Sequence, residues 1–405
     1  MNRAFRLTVA TLLGLLLVPA AQAGGSSTLP HELAKALVAR HVNPTLTGAT
    51  VLDLASGHVV FAQHAHRPLL PASNEKLATT YAALTALGPS FRIETDVLGD
   101  GMQSGSTWDG DVVLKGYGDP TLSTADLRSL AAQVSADGIT HISGNVLGDE
   151  SWFDARRAGV GWKREFYLHE SPALSALIVN RGWDGREETQ PALYAAQLFR
   201  KDLVHAGVSV SGPATTGVAA ADAAALAEVE SPPVASLVRF MDTQSDNFTA
   251  EMLLKQVGAV QGSAGTATVG IVETRQLLAA GGVPLAGVRM VDGSGLSLDD
   301  RWTPAGLARL LRVMWLDPDL RPYVVGSLPL AGVNGTLSYR MREGAAHRFV
   351  RAKTGTTDNS SDLSGFVGDR YVFSVMENGY PVRTTNAEAS ENRFAQALAR
   401  AAKSG

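Results

Sequence analysis

The chain predicts a mixed α/β (α+β) fold, an antiparallel sheet with packed helices interrupted by a smaller strand-rich insertion. Three observations carry this reading. Helix and strand patterns frame both ends of the 405-residue sequence. Between residues 91 and 223 the texture shifts to short alternating segments punctuated by glycine. Helical periodicity then returns. The expected organisation is an export signal at 1–23, a sheet-and-helix domain at 24–90 and 224–405, and an inserted strand-rich domain at 91–223.

Each element follows from local pattern. His31 to Ala39 has helical periodicity, and Ala49–Leu54 with His58–Ala62 reads as a hairpin closed by Ala55-Ser56-Gly57. Pro71 precedes an Ala- and Leu-rich helix, Asn74 to Leu87, stopped by Gly88-Pro89. In the insertion, Arg92–Leu98 and Asp111–Leu114 read as strands about a glycine-rich turn, and Val146-Leu147 centres another. Ala219–Ala227 reads as a helix or a linker. Helices follow at Val234–Met241, Phe248–Val257, Val269–Ala280 and Pro304–Trp315. Arg348–Ala352 and Phe366–Met376 read as strands, the second interrupted at Gly368-Asp369, before a last helix over Glu388–Ala401.

Composition removes several function classes. A formal charge of −4 without a long basic run gives no support for nucleic-acid binding. Arg3 and Arg6, the apolar Leu12–Val18 and the small residues Ala21-Gln22-Ala23 make an export signal, and no later segment reads as a membrane span. Export implies an oxidising compartment, yet the chain has no cysteine, so stability rests on burial. Thiol catalysis and thiolate metal sites are excluded. His64 and His66 are close in sequence but lack a third ligand nearby. No zinc-protease, phosphate-loop or dinucleotide fingerprint occurs, and no cofactor or metal is expected.

Three short motifs carry chemistry. Ser73-Asn74-Glu75-Lys76 places a hydroxyl at a helix start, where free backbone N–H groups favour developing negative charge. Lys76 projects from the same side one turn on. Partial burial and nearby positive charge would lower its pKa enough for it to act as a base. The bland alternative is a capping serine and a solvent-facing lysine. In Ser245-Asp246-Asn247, Ser245 is placed to pass a proton between Lys76 and a leaving amine, and the Asn247 amide to hold a substrate carbonyl. A simple cap for the next helix also explains that triplet. In Lys353-Thr354-Gly355, Phe349, Arg351 and Lys353 share one strand face, and Gly355 leaves room for a ligand near the backbone. Lys353, Thr354 and Thr356 would lie by a substrate carboxylate, with the Ser73 and Thr356 N–H groups as oxyanion hole. A charged edge strand is the alternative there. Their order and setting favour joint serine-lysine acyl transfer.

With these motifs the sequence resembles the penicillin-binding D-alanyl-D-alanine carboxypeptidases of peptidase family S13, the low-molecular-mass class C type. The resemblance includes Pro71 to Leu77, Gly118-Asp119-Pro120-Thr121-Leu122 and Gly144 to Asp149. It continues through Ser245-Asp246-Asn247, Asp292 to Ser297 and Gly332 to Leu337, and ends with Lys353 to Thr356 and Leu363 to Phe366. It implies a serine β-lactamase/transpeptidase-like domain, with Ser73 as nucleophile and Lys76 as base. Ser245 and Asn247 serve in relay and substrate holding, and Lys353 with Thr354 binds the terminal carboxylate. The implied partners are peptidoglycan stem peptides and cross-links, with β-lactams as covalent inhibitors of an exported, cell-wall-associated enzyme. The interval from Ser73 to Ser245 is short for members with two inserted domains, and Thr357 replaces a usual apolar residue.

Two readings compete. A β-lactamase or esterase of the same fold would use the same serine, but no Glu-x-x-Leu-Asn arrangement supplies a deacylating glutamate between Ser245 and Lys353. Glu251 and Glu273 read as ordinary helix residues. A non-catalytic cell-wall-binding protein would not need the serine, lysines and asparagine that are retained.

Overall fold

A computed structural model describes residues 29–40, 42–183 and 188–404. The expected export signal at 1–23 lies outside the described residues. The elements in chain order are α1 (Leu29–Ala36), β1 (Thr47–Asp53), β2 (Val59–Gln63) and α2 (Lys76–Ala86). Next come β3 (Glu94–Ser104), β4 (Thr107–Gly116), α3 (Thr124–Ala136), β5 (His141–Ile142), β6 (Val146–Asp149) and α4 (Pro191–His205). These lead to β7 (Ser209–Val210), β8 (Ala214–Thr216) and β9 (Ala224–Glu230). The chain closes with α5 (Val234–Gln244), α6 (Asn247–Gln261), α7 (Ala267–Ala280), α8 (Pro304–Leu316), α9 (Arg321–Ser327), β10 (Val350–Thr357), β11 (Ser360–Val367), β12 (Tyr371–Asn378) and α10 (Thr384–Ser404).

The first sheet joins the two chain ends. Its order is β10-β11-β12-β1-β2, antiparallel throughout, with Thr47 opposite Glu377 and Asp53 opposite Tyr371. Helices cover both of its faces, with the edge strand β2 partly exposed. On one face α1 and α10 pack Leu33, Phe394 and Leu398 onto Phe61, Ala352 and Phe373. On the other, Leu77 and Tyr81 of α2 and Leu311 of α8 join Leu52, Trp302, Phe366 and Met376.

The stretch expected as one interrupted strand, Phe366–Met376, is two. Gly368-Asp369 lies in the turn between β11 and β12, and β11 starts back at Ser360. That start has no apolar alternation because Ser360, Ser361, Asp362 and Ser364 are all buried. Hydrogen bonds replace hydrophobic pattern there: the Ser364 and Ser374 hydroxyls meet at 2.8 Å and Ser361 donates to Glu391.

The second sheet lies in the central stretch. Antiparallel pairs join β3 to β4 and to β9, and parallel pairs join β4 to β5 and β6, β5 to β7, and β6 to β8. Leu127 and Leu130 of α3 and Phe199 and Leu203 of α4 cover it against Val97, Trp108 and Val112. The expected glycine-rich turn near 99–110 is instead strand on both sides, and the hairpin closes at Gly105-Ser106. Gly99 is there for space, because a Cβ would come within 2.2 Å of the Trp108 ring. Ala219–Ala227, expected as helix or linker, runs into β9, whose alanines pair with β3. Local propensity favoured helix, and the ladder overrode it.

Between β6 and α4 the chain returns to the first unit and packs on α6. Trp152 Nε1 donates to Gln256 Oε1 at 3.0 Å, and the buried Lys255 pairs with Asp154 at 2.5 Å. Arg181 pairs with Asp246 at 2.7 Å and stacks its guanidinium over Phe248. None of the described helices is long and apolar enough to cross a membrane.

Candidate active site

Ser73 sits in a single 3₁₀ turn, Ala72–Glu75, that feeds directly into α2. Ala72 before it has φ +41°, a region that L side chains rarely occupy. Gly295 makes this turn possible, since a Cβ there would fall 1.8 Å from the Ala72 carbonyl oxygen. In a 3₁₀ turn residues three apart eclipse, which brings Lys76 Nζ to 3.0 Å from Ser73 Oγ.

Lys76 is fully buried, so it is not the solvent-facing lysine of the alternative reading. Its Nζ also donates to Asn247 Oδ1 at 2.7 Å and to the Ser294 carbonyl at 2.8 Å. Burial pulls its pKa down to about 8, against the opposing charges of Asp292, Asp246, Glu251 and Asp242. Complete burial therefore does the work expected of partial burial and a neighbouring cation.

In the second motif the capping role falls to the middle residue. Asp246 caps α6 by accepting from Thr249 N at 2.8 Å. That leaves the residues beside it for the cleft. Ser245 ends α5 in a left-handed conformation, φ 60°, and its hydroxyl meets Lys353 Nζ at 2.8 Å. Its bonded partner is thus Lys353, and Lys76 meets Asn247 instead. The Asn247 amide nitrogen, expected to hold a substrate carbonyl, donates to the Glu170 carbonyl at 3.0 Å.

Lys353 is also fully buried and donates to the Thr354 carbonyl at 2.9 Å. Burial and the Lys76 charge hold its pKa well below the usual lysine range. Thr354 Oγ1 bonds Thr336 Oγ1 at 2.8 Å, and Thr356 follows at the exposed part of the strand. The missing side chain of Gly355 is used by the chain itself: a Cβ there would meet the Pro71 carbonyl at 2.8 Å and Asn74 Nδ2 at 2.9 Å. The glycine lets the nucleophile turn close on β10, where an open ligand approach was expected.

A layer of buried carboxylates lies behind Lys76. Glu251 is not an ordinary helix residue. It is fully buried, and its Oε1 accepts from Gly293 N at 3.0 Å and Ser294 N at 2.9 Å. It thereby fixes Ser294, the residue whose carbonyl accepts from Lys76. Asp292 accepts from Gly295 N at 2.6 Å and Ser297 N at 2.8 Å, and Trp162 Nε1 reaches it at 2.8 Å. Glu75 receives Trp302 Nε1 at 2.8 Å. Burial raises Glu251 to about 8 and pushes Glu75 and Asp300 well up, the Asp292 charge adding to each. Thr336, Ser294 and Glu251 were missed as site residues. The first two lay in sequence pieces already singled out, and Glu251 carried no sequence signal.

These acids set a pH dependence. Glu251, and Glu377, which burial and the Glu391 charge raise to about 9, keep protons in the folded state through neutrality. Unfolded, each releases them near the ordinary carboxyl value. Stability is therefore full below about pH 4.5 for these groups and falls as pH rises from there. Above about pH 8 the depressed Lys76 opposes the trend. The melting temperature is expected to be higher at pH 5.5 than at pH 8, with Glu377→Gln flattening the slope; a rise toward pH 8 contradicts it.

Among the described residues one acidic trio, Glu94, Glu228 and Glu230, comes close enough to share a cation. All three are exposed on β3 and β9, and His64 Nδ1 is engaged with the Thr47 carbonyl at 2.8 Å.

The model of the D-Ala-D-Ala carboxypeptidase 3 (S13) family matches residues 29–189 and 184–403. A D-alanyl-D-alanine carboxypeptidase of Actinomadura sp. (strain R39) is 32% identical over 472 residues, covering 94% of this chain and 87% of that protein. Carboxypeptidase DacB of Mycolicibacterium smegmatis is 32% identical over 379 residues, covering 85% and 80%. Penicillin binding protein 4 from Haemophilus influenzae shares the fold, with a TM-score of 0.81 at 22% identity over 91% of this chain and 98% of that one. A predatory peptidoglycan endopeptidase from Bdellovibrio bacteriovorus superposes at 0.55 with 15% identity, covering 82% and 86%. By the family match along nearly its whole described length, this chain belongs to the D-Ala-D-Ala carboxypeptidase 3 (S13) family.

Proposed function

We propose that the chain releases the terminal D-alanine of peptidoglycan stem peptides, and opens D-alanyl cross-links, through an acyl-enzyme on Ser73. The observation that carries this is the Ser73–Lys76–Asn247 contact, with Ser245–Lys353 beside it. Ser73 attacks the penultimate D-alanyl carbonyl while neutral Lys76 takes its proton. The Ser73 and Thr356 N–H groups receive the oxyanion. The proton that Lys76 took is passed by way of Ser245 to the leaving amine, and water then adds to the ester and releases Ser73 and the shortened peptide's carboxylate. Lys353 and Thr354, with Thr356, hold the terminal carboxylate. Ser and Lys thus replace a Ser-His-Asp triad.

The relatives support the substrate class: the Bdellovibrio protein acts on peptidoglycan, and one of its structures is acylated by penicillin G. We place the inserted unit at about 94–230, following its sheet through β9, and read the chain as exported to the cell wall. A β-lactamase role is disfavoured because Glu251, with Oε1 held by two backbone N–H groups, is tied into the fold. Two assays test the reading. Digestion of intact peptidoglycan, with free D-alanine and broken cross-links measured separately, is expected to yield D-alanine. Labelled penicillin is expected to leave a long-lived adduct on Ser73 that blocks this release. Rapid multiple turnover of penicillin, or no release from peptidoglycan, contradicts it.

A further inference from the structure

A groove of about 440 Å³ runs between α5, α9 and β10, lined in part by Ser236, Arg239, Tyr323, Asn334 and Arg351. Two guanidinium groups face it. Among the described residues neither has a carboxylate partner, and the hydrogen bond of Arg351 is to the Leu328 carbonyl, at 3.3 Å. Burial and the Arg239 charge both press on Arg351. Two like charges in a half-buried groove repel, and a bound anion relieves them. A carboxylate matches their planar forks.

Position says which carboxylate. Val350 and Ala352 pack toward α1 and α10, so Arg351 and Lys353 share the opposite face of β10, about 7 Å apart along the strand. Arg239 precedes Ser245 on α5 by six residues, about 9 Å along the helix. Asn334 stands two residues before Thr336. The groove lining ends at Arg351, two residues before Lys353, and the carboxylate contacts proposed for Lys353 and Thr354 put the leaving group toward that end of β10. When free D-alanine leaves, nothing extends further. When a cross-link is cut, the leaving amine belongs to a second stem peptide that carries its own carboxylates.

We propose that the Arg239–Arg351 groove is a subsite for the second stem peptide of a cross-link, binding one of its carboxylates. This rests on the acyl-transfer reading above. The test compares a cross-linked muropeptide dimer with a monomeric pentapeptide as substrates. Arg239→Glu is expected to lower kcat/KM for the dimer about tenfold more than for the monomer, chiefly through KM. Arg239→Lys is expected to retain most of the dimer activity, and Arg351→Gln to follow Arg239→Glu. An unchanged ratio of the two activities in Arg239→Glu overturns the subsite, and since Arg239 is exposed this variant decides even if Arg351→Gln misfolds. Wild-type protein that releases D-alanine but cannot cut the dimer also overturns the subsite while Ser73 chemistry stands. Wild-type protein that does neither overturns the acyl-transfer reading and the subsite with it.

Discussion

Ser73→Ala is expected to lower D-alanine release by roughly 10⁴-fold or more and to abolish the penicillin adduct, with the fold intact. The Ser73 hydroxyl lies 3.0 Å from the buried Lys76 amine at the start of α2. Removing that oxygen deletes the acyl-enzyme, so slow background hydrolysis is all that remains. The fold loses little, because Lys76 keeps two acceptors, Asn247 Oδ1 and the Ser294 carbonyl. The Ala72 turn is held by the approach of Gly295 rather than by the serine. Release of D-alanine by Ser73→Ala at near wild-type rate would end the mechanism. A wild-type protein that binds cell wall but releases nothing would establish the non-catalytic reading.

The three motifs were legible because their chemistry is local: a serine and a lysine three residues apart, a cap flanked by two side chains, a strand ending in Lys-Thr-Gly. What completes them arrives through tertiary approach. The Ser294 carbonyl reaches Lys76 from 218 residues away, and Glu251 matters through Ser294, which it fixes. Nothing in the helical pattern of Phe248–Val257 separates a fully buried glutamate from a solvated one. The contact that the Asn247 amide makes within the chain was hidden for the same reason. Its partner, the Glu170 carbonyl, belongs to a segment between β6 and α4 with little regular structure to read. In the fold, the helices of the first unit were read from periodicity. β11 escaped because its hydroxyls and carboxylate are satisfied inside the sheet, and β9 because alanine favours a helix until a ladder claims it.

Replacing Lys76 separates a base from a charge. The ammonium form has three protons, and the structure supplies three acceptors: Ser73 Oγ, Asn247 Oδ1 and the Ser294 carbonyl. A neutral amine keeps two protons. The carbonyl and the amide oxygen are pure acceptors and retain them, so the lone pair points at the serine hydroxyl, the one partner that can reverse its role. Deprotonation thus builds the base in place. Lys76→Arg keeps the positive charge but cannot lose its proton, so penicillin acylation is expected to fall roughly 10³-fold or more, as in Lys76→Ala. Retained acylation in the arginine variant would mean that the charge alone suffices. On the proposed mechanism the neutral form is the active one, so acylation in the wild type is expected to rise with pH, about tenfold per unit below the Lys76 pKa of about 8, and to level above it. Glu251 titrates in the same range, so the measured value belongs to the pair. Glu251→Gln removes the negative charge that Glu251 gains as it titrates near 8 and that favours the protonated Lys76, and the midpoint of the rising limb is expected to move to lower pH. A flat profile between pH 6 and 9, or an upward shift in Glu251→Gln, would assign the proton transfer to another group.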